Sequence, residues 1–162
     1  MLCNYNKIYM FTRQKTRKVM VGNVQIGHQN NVVIQSMTNT KTSDISKTLK
    51  QISALHTAGC ELVRVSVLDQ NDVKALKIIT KKAPCPIVAD IHYSDKFAIE
   101  SIKAGVAKIR INPGNIPLSR LKEVVAAAKK CKTAIRIGVN AGSFNIKTMT
   151  EEAVKYIKQF ES

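Results

Sequence analysis

The sequence predicts an α/β fold: a partial TIM-type (β/α) barrel of about five βα units, preceded by an N-terminal β-hairpin. Short runs rich in β-branched residues alternate five times with longer amphipathic runs, a rhythm typical of parallel sheets. Apolar and polar residues also alternate within the short runs, so each predicted strand has two unlike faces. No GxGxxG sequence or P-loop follows any strand, which argues against dinucleotide-binding and NTPase folds.

The first predicted element is the hairpin. The segment RKVMVGNVQIG, residues 17–27, consists of two short β-like runs that meet at Gly22-Asn23. A glycine paired with an asparagine favours a tight two-residue turn. We expect the hairpin to plug the bottom of the barrel.

The first two βα units follow the hairpin. The strand predicted over residues 31–37 precedes an amphipathic run with apolar residues at helical spacing, which Gly59 can end. The strand predicted over residues 61–67 precedes a second helix, with Asp69 as its N-cap and Pro84 beyond its end.

Three more units complete the pattern. Their strands are predicted over residues 86–92, 107–112 and 133–140. Ser94 is the expected N-cap of the helix after the first of these strands, and Gly105 its terminator. Thr148 and Glu151 have the spacing of a capping box at the start of the last helix.

The length of the chain conflicts with a closed barrel. A full (β/α)₈ barrel needs about 250 residues, whereas this sequence has 162 and contains five units. Five strands do not close a barrel, so an edge strand is expected to be left unpaired. We divide the sequence into an N-terminal extension, residues 1–14, and an incomplete barrel, residues 15–162.

Composition excludes several classes of protein. The net charge is +15, but 20 of the 26 basic residues are lysines spread over helix-like segments, and no nucleic-acid-binding motif is present. We therefore interpret the charge as solvated helix faces and expect no nucleic-acid partner. No apolar run reaches the ~20 residues that span a bilayer, so no membrane partner is expected. The scattered cysteines have no metal-site spacing, so no metal ligand is predicted among Cys3, Cys60, Cys85 and Cys131.

Polar side chains lie on one face of four successive strands. In strand order, this face holds Arg64 and Ser66; Asp90 and His92; Arg110 and Asn112; and Arg136, Gly138 and Asn140. In a barrel the apolar face packs against the helices, so the polar face points inward and toward the C-terminal mouth, where barrel enzymes have their active sites.

The inward face carries more positive than negative charge. Arg64, Arg110 and Arg136, taken as equivalent strand positions, are three of the six arginines in the chain, and Asp90 is the only acid on these faces. Burying an unpaired charge is costly, and a guanidinium group suits phosphate. The pattern therefore favours a dianionic or diphosphorylated ligand. The alternative is that each arginine pairs with a carboxylate elsewhere or extends out of the barrel end.

Two further polar positions have open interpretations. His92 beside Asp90 fits an oriented acid/base or hydrogen-bond donor, and we take both as catalytic candidates, although a structural histidine fits as well. The polar run Gln35-Ser36-Met37-Thr38-Asn39 ends the first strand. It is consistent either with ligand contacts or with capping of the next helix.

Several long motifs together resemble one known family. In chain order they are KTRKVMVGNVQIG, VIQSMTNT, VRVSV, VADIHY, KIRINPGNI and IRIGVNAGS. They resemble the barrel domain of the 4-hydroxy-3-methylbut-2-enyl diphosphate synthase family of the non-mevalonate isoprenoid pathway. The resemblance extends from about Lys15 to Ser143.

The resemblance implies an oxidoreductase that opens the ring of 2-C-methyl-D-erythritol 2,4-cyclodiphosphate. Its electrons come from ferredoxin or flavodoxin through a 4Fe-4S cluster. A homodimer in the bacterial cytoplasm, rather than a plastid protein, is implied as well. Asp90 would orient its neighbours. The implied substrate-binding residues are Arg64, Asp90, His92, Arg110, Asn112, Arg136 and Asn140.

The sequence also departs from the family pattern. Tyr93 and Lys96 replace an aromatic residue and an arginine, and the stretch after Ser143 is shortened. The last three barrel units and the C-terminal iron-sulfur domain have no counterpart here, and none of the four cysteines falls where the cluster ligands lie. We expect the substrate-binding portion of the enzyme, with activity of this chain alone left open. The alternative is a non-catalytic or pterin- or phosphate-binding half-barrel module.

Overall fold

The computed structural model describes residues 16–28, 32–139 and 149–161. Within these ranges the strands are β1 Val19–Val21, β2 Val24–Ile26, β3 Gln35–Met37, β4 Leu62–Val67, β5 Ile87–Ile91, β6 Lys108–Ile111 and β7 Ala134–Ile137. The helices are α1 Ile45–Thr57, α2 Gln70–Lys82, α3 Asp95–Lys103, α4 Leu118–Cys131 and α5 Met149–Glu161, with a short 3-10 turn over Pro113–Asn115. The predicted βα rhythm is confirmed.

Strands β3 to β7 form a parallel sheet in sequence order. Each strand therefore hydrogen-bonds to the next one along the chain, and the intervening helix returns the chain to the start of the sheet, as in a (β/α) barrel. All carboxyl ends of the strands consequently meet at one edge. No helix in the described part of the chain is long and apolar enough to span a membrane.

The outward face of the sheet forms the core with the helices. Its buried side chains are Val63, Val65, Val67, Ile87, Ala89, Ile91, Ile109 and Ile111. They pack against helix residues such as Ile52, Leu76 and Leu121, which are fully buried as well. Burying an aliphatic side chain of this size contributes about 1.5–3 kcal/mol. The period-two pattern thus correctly assigned the apolar set to the helix layer.

The hairpin closes the amino-terminal end of the strands. Val21 of β1 is fully buried and packs with Leu62 and Val88, which point into the arc of the sheet. The turn glycine, Gly22, has a positive φ of 61° and lies so close to Pro86 that an added Cβ would come within 3.0 Å of its Cγ. The predicted plug at the bottom of the barrel is confirmed.

Helix boundaries follow the predicted caps. The Asp69 carboxylate accepts hydrogen bonds from the backbone N–H groups of Asn71 (2.7 Å) and Asp72 (3.0 Å). Ser94 Oγ accepts from Phe97 N at 3.2 Å. Such caps satisfy backbone donors that have no partner within the helix.

All five predicted strands of the sheet are longer than the observed ones, and the first and the last differ most. Strand β3 begins only at Gln35, because the backbone N–H of Ile34 donates to the Glu61 side chain (3.1 Å) instead of to a neighbouring strand. Strand β7 ends at Ile137, so Gly138 lies just beyond it. The predicted helix start at Thr148 lies outside the described residues.

Candidate anion-binding site at the barrel mouth

The inward side chains of β4 to β7 form rows across the sheet. The register aligns Ser66 with Asp90, Asp90 with Arg110, and Arg110 with Arg136. Arg64 is opposite Val88, so it lies one inward position deeper than expected. The predicted equivalence of the three arginines is therefore wrong for Arg64, because spacing along the chain does not fix the stagger between strands.

Asp90 is the centre of the site. It is 3% exposed. Its Oδ1 lies 3.3 Å from Arg110 Nη1, and its Oδ2 lies 3.7 Å from Arg64 Nε and 3.5 Å from His92 Nε2. Charge-assisted hydrogen bonds in tight pairs are about 2.7–2.9 Å long. One carboxylate is thus shared among three groups, and none of these three contacts is as short as in a tight pair.

The Arg110 guanidinium lies over Gly138. A Cβ added at Gly138 would come within 2.8 Å of both Cζ and Nη2 of Arg110. The Gly138 N–H donates to Ile111 O at 2.8 Å, which fixes the backbone beneath the guanidinium. Gly138 therefore leaves the space that the Arg110 guanidinium occupies, a role that the charge argument missed. The alternation that placed it on the polar face was the signal that could have found it.

Arg64 is oriented by a thioether. Its Nε lies 3.1 Å from Met37 Sδ, a weak acceptor at the end of β3. Its side chain is 27% exposed, compared with 12% for Arg110. Arg136 is exposed. The three arginines therefore differ in solvent exposure, and Arg110 is the most buried of them.

Asn112 holds the rim of the mouth. It is 1% exposed, and its Oδ1 accepts a hydrogen bond from Gly114 N at 3.1 Å, which closes the Asn-Pro-Gly-Asn turn. Asn115 Nδ2 in turn donates to His92 O at 3.0 Å and ties this turn to the end of β5. A ligand contact from Asn112 stays a prediction, and Asn140 lies outside the described residues.

Lys108 is a cation of the site that the sequence analysis did not select. It is 8% exposed, and its Nζ donates to Gln35 Oε1 at 3.0 Å. Burial, followed by the charges of Arg136 and Arg64, holds the pKa of Lys108 below its usual range. Its position two residues before Arg110 places it on the same strand face. The inward faces of the described strands thus carry four basic side chains, including Lys108, and one carboxylate.

Cysteine chemistry is separate from this site. Cys60 and Cys85 are buried in the hydrophobic core, and burial raises the pKa of Cys85, which favours the thiol over the metal-binding thiolate. No group of three His, Cys, Asp or Glu residues able to hold a metal ion occurs among the described residues. These residues therefore do not fit an iron-sulfur cluster.

Comparison with known proteins decides the family. A model of the GcpE TIM-barrel domain matches residues 16–159. The chain belongs to this family. Membership in the GcpE family confirms the resemblance inferred from the sequence motifs.

Three curated relatives of this GcpE-family chain carry the same name, 4-hydroxy-3-methylbut-2-en-1-yl diphosphate synthase (flavodoxin). The protein of Malacoplasma penetrans is 46% identical over 96% of this chain and 46% of its own length. The proteins of Mycoplasmoides gallisepticum and Aquifex aeolicus are 48% and 44% identical over 90% and 94% of this chain. The chain spans less than half the length of these relatives.

Solved structures confirm the barrel architecture of this GcpE domain. Dihydropteroate synthase from Xanthomonas albilineans superposes with a TM-score of 0.68 over 90% of this chain and 59% of its own, at 10% identity. Dihydropteroate synthase from Yersinia pestis superposes with a TM-score of 0.62 over 88% of this chain and 55% of its own, at 12% identity. At such low identities the likeness concerns the fold alone.

Proposed function

We propose that this chain binds 2-C-methyl-D-erythritol 2,4-cyclodiphosphate at the barrel mouth, as the substrate-binding portion of a 4-hydroxy-3-methylbut-2-enyl diphosphate synthase. One observation carries the proposal. Arg64, Arg110 and His92 share the single carboxylate of Asp90, at distances of 3.3–3.7 Å. The inward faces of the described strands carry the guanidinium groups of Arg64, Arg110 and Arg136 and one carboxylate, and this balance of charge favours a dianionic ligand.

The arginines supply the binding chemistry. Each guanidinium offers several N–H donors in a plane and matches the spacing of two phosphate oxygens. Arg110 is held between Asp90 and Gly138, and Arg64 between Asp90 and Met37. Both groups are therefore oriented before the ligand arrives, which lowers the entropic cost of binding.

Asp90 orients the site and His92 is its candidate proton donor. The His92 Nε2 is 3.5 Å from Asp90 Oδ2 and its side chain is 34% exposed, so the ring reaches both the carboxylate and the solvent-filled mouth. An oriented imidazole can donate a proton to a leaving oxygen. Arg136, Asn112 and Asn140 complete the proposed set of ligand contacts.

The reduction itself requires groups beyond the described residues. The 4Fe-4S cluster of the family has no ligand set in the part of the chain that the structure describes. Flavodoxin is the electron donor in our proposal, because the relatives are named for it; ferredoxin was the other predicted donor. A homodimer and a location in the bacterial cytoplasm stay predictions.

Calorimetric titration with the cyclodiphosphate tests the proposal. The wild-type chain is expected to bind it, and Arg110→Ala to weaken binding by about 30-fold or more, since truncating one buried charge partner costs about 2 kcal/mol or more. Arg120→Ala is the matched control, because Arg120 lies on the surface and pairs with Asp95 and Glu123. Its affinity should match that of the wild type.

Two results would contradict the proposal. The first is absence of binding in a sample whose circular dichroism shows a folded chain. The second is equal weakening by Arg110→Ala and Arg120→Ala, which would indicate attraction by overall charge. Binding of a pterin instead of the cyclodiphosphate would support the alternative half-barrel module.

A further inference from the structure

Lys108 lies on the floor of the anion site. Strand β6 places Lys108 and Arg110 on the same inward face, with Lys108 nearer the amino-terminal end and therefore deeper. Its neighbours in register are Val88 and Ala134, which carry no charge. At 8% exposure the ammonium group is largely withdrawn from solvent.

The hydrogen bond of Lys108 crosses the interior of the sheet. Gln35 belongs to β3, and β4 and β5 separate it from β6, a distance of about 14 Å along the sheet. Because the sheet is curved, the two side chains meet across its concave side, with 3.0 Å between Lys108 Nζ and Gln35 Oε1. Among the described residues this uncharged amide is the hydrogen-bond partner of Lys108, and no carboxylate forms an ion pair with it.

The charged groups that face Lys108 are mostly cations. Arg64 of β4 and Arg136 of β7 are close enough for their charges to disfavour its ammonium form, and burial disfavours it further. Arg110 follows on the same strand. Asp90 and His92 of β5 interact with each other, and Asp90 also with the arginines. The hairpin contributes apolar side chains to this end of the barrel.

We infer that Lys108 is a further anion-binding residue of this site, which takes up a proton from solvent when the dianionic cyclodiphosphate binds above it. The inference rests on the proposed function. The step is a protonation alone: a proton from the buffer adds to the lysine amine and forms the ammonium ion. No bond of the ligand breaks.

Charge interactions determine the direction in which the affinity changes with pH. Burial and two arginines lower the pKa of Lys108 in the free chain, and a bound dianion raises it again. Binding therefore takes up a proton at pH values between the lowered pKa of the free chain and the raised pKa of the complex, and by linkage the affinity falls as pH rises across that interval. If the ligand raises the pKa by about one unit, it binds about tenfold more tightly to the protonated chain.

Titration calorimetry in buffers of different ionisation enthalpy measures the proton uptake directly. We would titrate the full chain with the cyclodiphosphate at several pH values from about 7 up to about 10.4, the ordinary pKa of a lysine. Each phosphorus of the ligand carries one strongly acidic hydroxyl, so the ligand itself stays dianionic. The wild type is expected to take up a fraction of a proton that is largest at a pH between the pKa values of Lys108 in the free and the bound chain, and smaller on either side.

Matched variants assign the proton to Lys108. Lys108→Met should bind about tenfold more weakly at about pH 7 and lack the uptake, and Lys108→Arg should bind without uptake because its guanidinium stays charged. Lys122→Met, on the exposed face of α4, removes the same charge and should behave as the wild type. The thermal unfolding temperature of Lys108→Met distinguishes a role in anion binding from a structural role. If Lys108 only binds the ligand, removing its buried charge, which has no carboxylate partner among the described residues, should not lower that temperature.

The outcomes distinguish the inference from the function. Cyclodiphosphate binding without proton uptake, or an unchanged affinity in folded Lys108→Met, would overturn the inference and leave the proposed function standing. Loss of affinity together with loss of thermal stability would show Lys108 to be merely structural. No binding to the folded wild-type chain would overturn both.

Discussion

At the scale of single residues, the proposed site depends on how one carboxylate is shared among two guanidinium groups and an imidazole ring. Asp90 faces Arg64, Arg110 and His92, none closer than 3.3 Å. A buried ion pair of good geometry neutralises both of its charges, whereas here one carboxylate is shared between two guanidinium groups at longer distances. The arrangement is therefore better suited to binding an anion than to stabilising the fold.

Gly138 provides the space for one of these guanidinium groups, which yields a prediction. Gly138→Ala should displace Arg110 and weaken cyclodiphosphate binding about tenfold, the worth of one charge-assisted hydrogen bond. Stability should change by less than about 1 kcal/mol, because the clashing atoms belong to the end of a flexible side chain.

A double-mutant cycle provides the control for Gly138. If Gly138 acts through Arg110, adding Gly138→Ala to Arg110→Ala should cost no further affinity. Full additivity of the two losses in calorimetric titrations would refute this role. Unfolding by denaturant, followed for all three variants, would show whether the fold is intact.

At the scale of elements, the two ends of the sheet have separate tasks. The hairpin covers the amino-terminal end with apolar contacts, and the carboxyl end carries the charged groups. Side chains that point into the arc change accordingly along β4, from the buried apolar Leu62 to Arg64. Stability and binding should therefore respond to different substitutions.

Truncation in the plug tests this separation. Val21→Ala should lower the free energy of unfolding by about 2 kcal/mol, because it removes two buried methyl groups and leaves a cavity. Affinity for the cyclodiphosphate should be unchanged. Denaturant unfolding and calorimetry measure the two effects.

Val19→Ala is the matched control for the plug. Val19 belongs to the same strand but is 44% exposed. Its truncation should alter stability by no more than about 0.5 kcal/mol. A similar loss in both variants would argue against a specific packing role of Val21.

At the scale of the whole molecule, the +15 charge and the proposed anion site are different features. Lysines in the last turns of α2, α3 and α4 face the ends of helix dipoles, where a cation stabilises the helix. The cations of the mouth instead face Asp90 and one another. Salt should distinguish these two sets of charges, because exposed charges are screened more than buried ones.

The salt dependence of binding is therefore predicted to differ by ligand. Raising salt from about 50 to about 200 mM should weaken cyclodiphosphate binding by less than about tenfold. Any binding of double-stranded DNA to the surface lysines should fall about a thousandfold or more, and Arg110→Ala should not affect it. Fluorescence titration with labelled DNA and calorimetry with the cyclodiphosphate make the comparison; equal salt slopes would contradict it.

The sequence by itself determined the order of the elements, the two faces of each strand and most of the charged set at the mouth. These features are local: a period of two assigns Ile109 and Ile111 to the core and Arg110 to the interior from β6 alone. Helix caps such as Asp69 and Ser94 are equally local and were predicted correctly.

Only the tertiary structure decided which of these residues meet. The deeper position of Arg64, the space that Gly138 leaves for Arg110 and the bond from Lys108 to Gln35 all depend on strand stagger and on the curvature of the sheet. These quantities arise from contacts between strands that are distant along the chain. Alternation fixes the face of a side chain, but the register between strands fixes its partner.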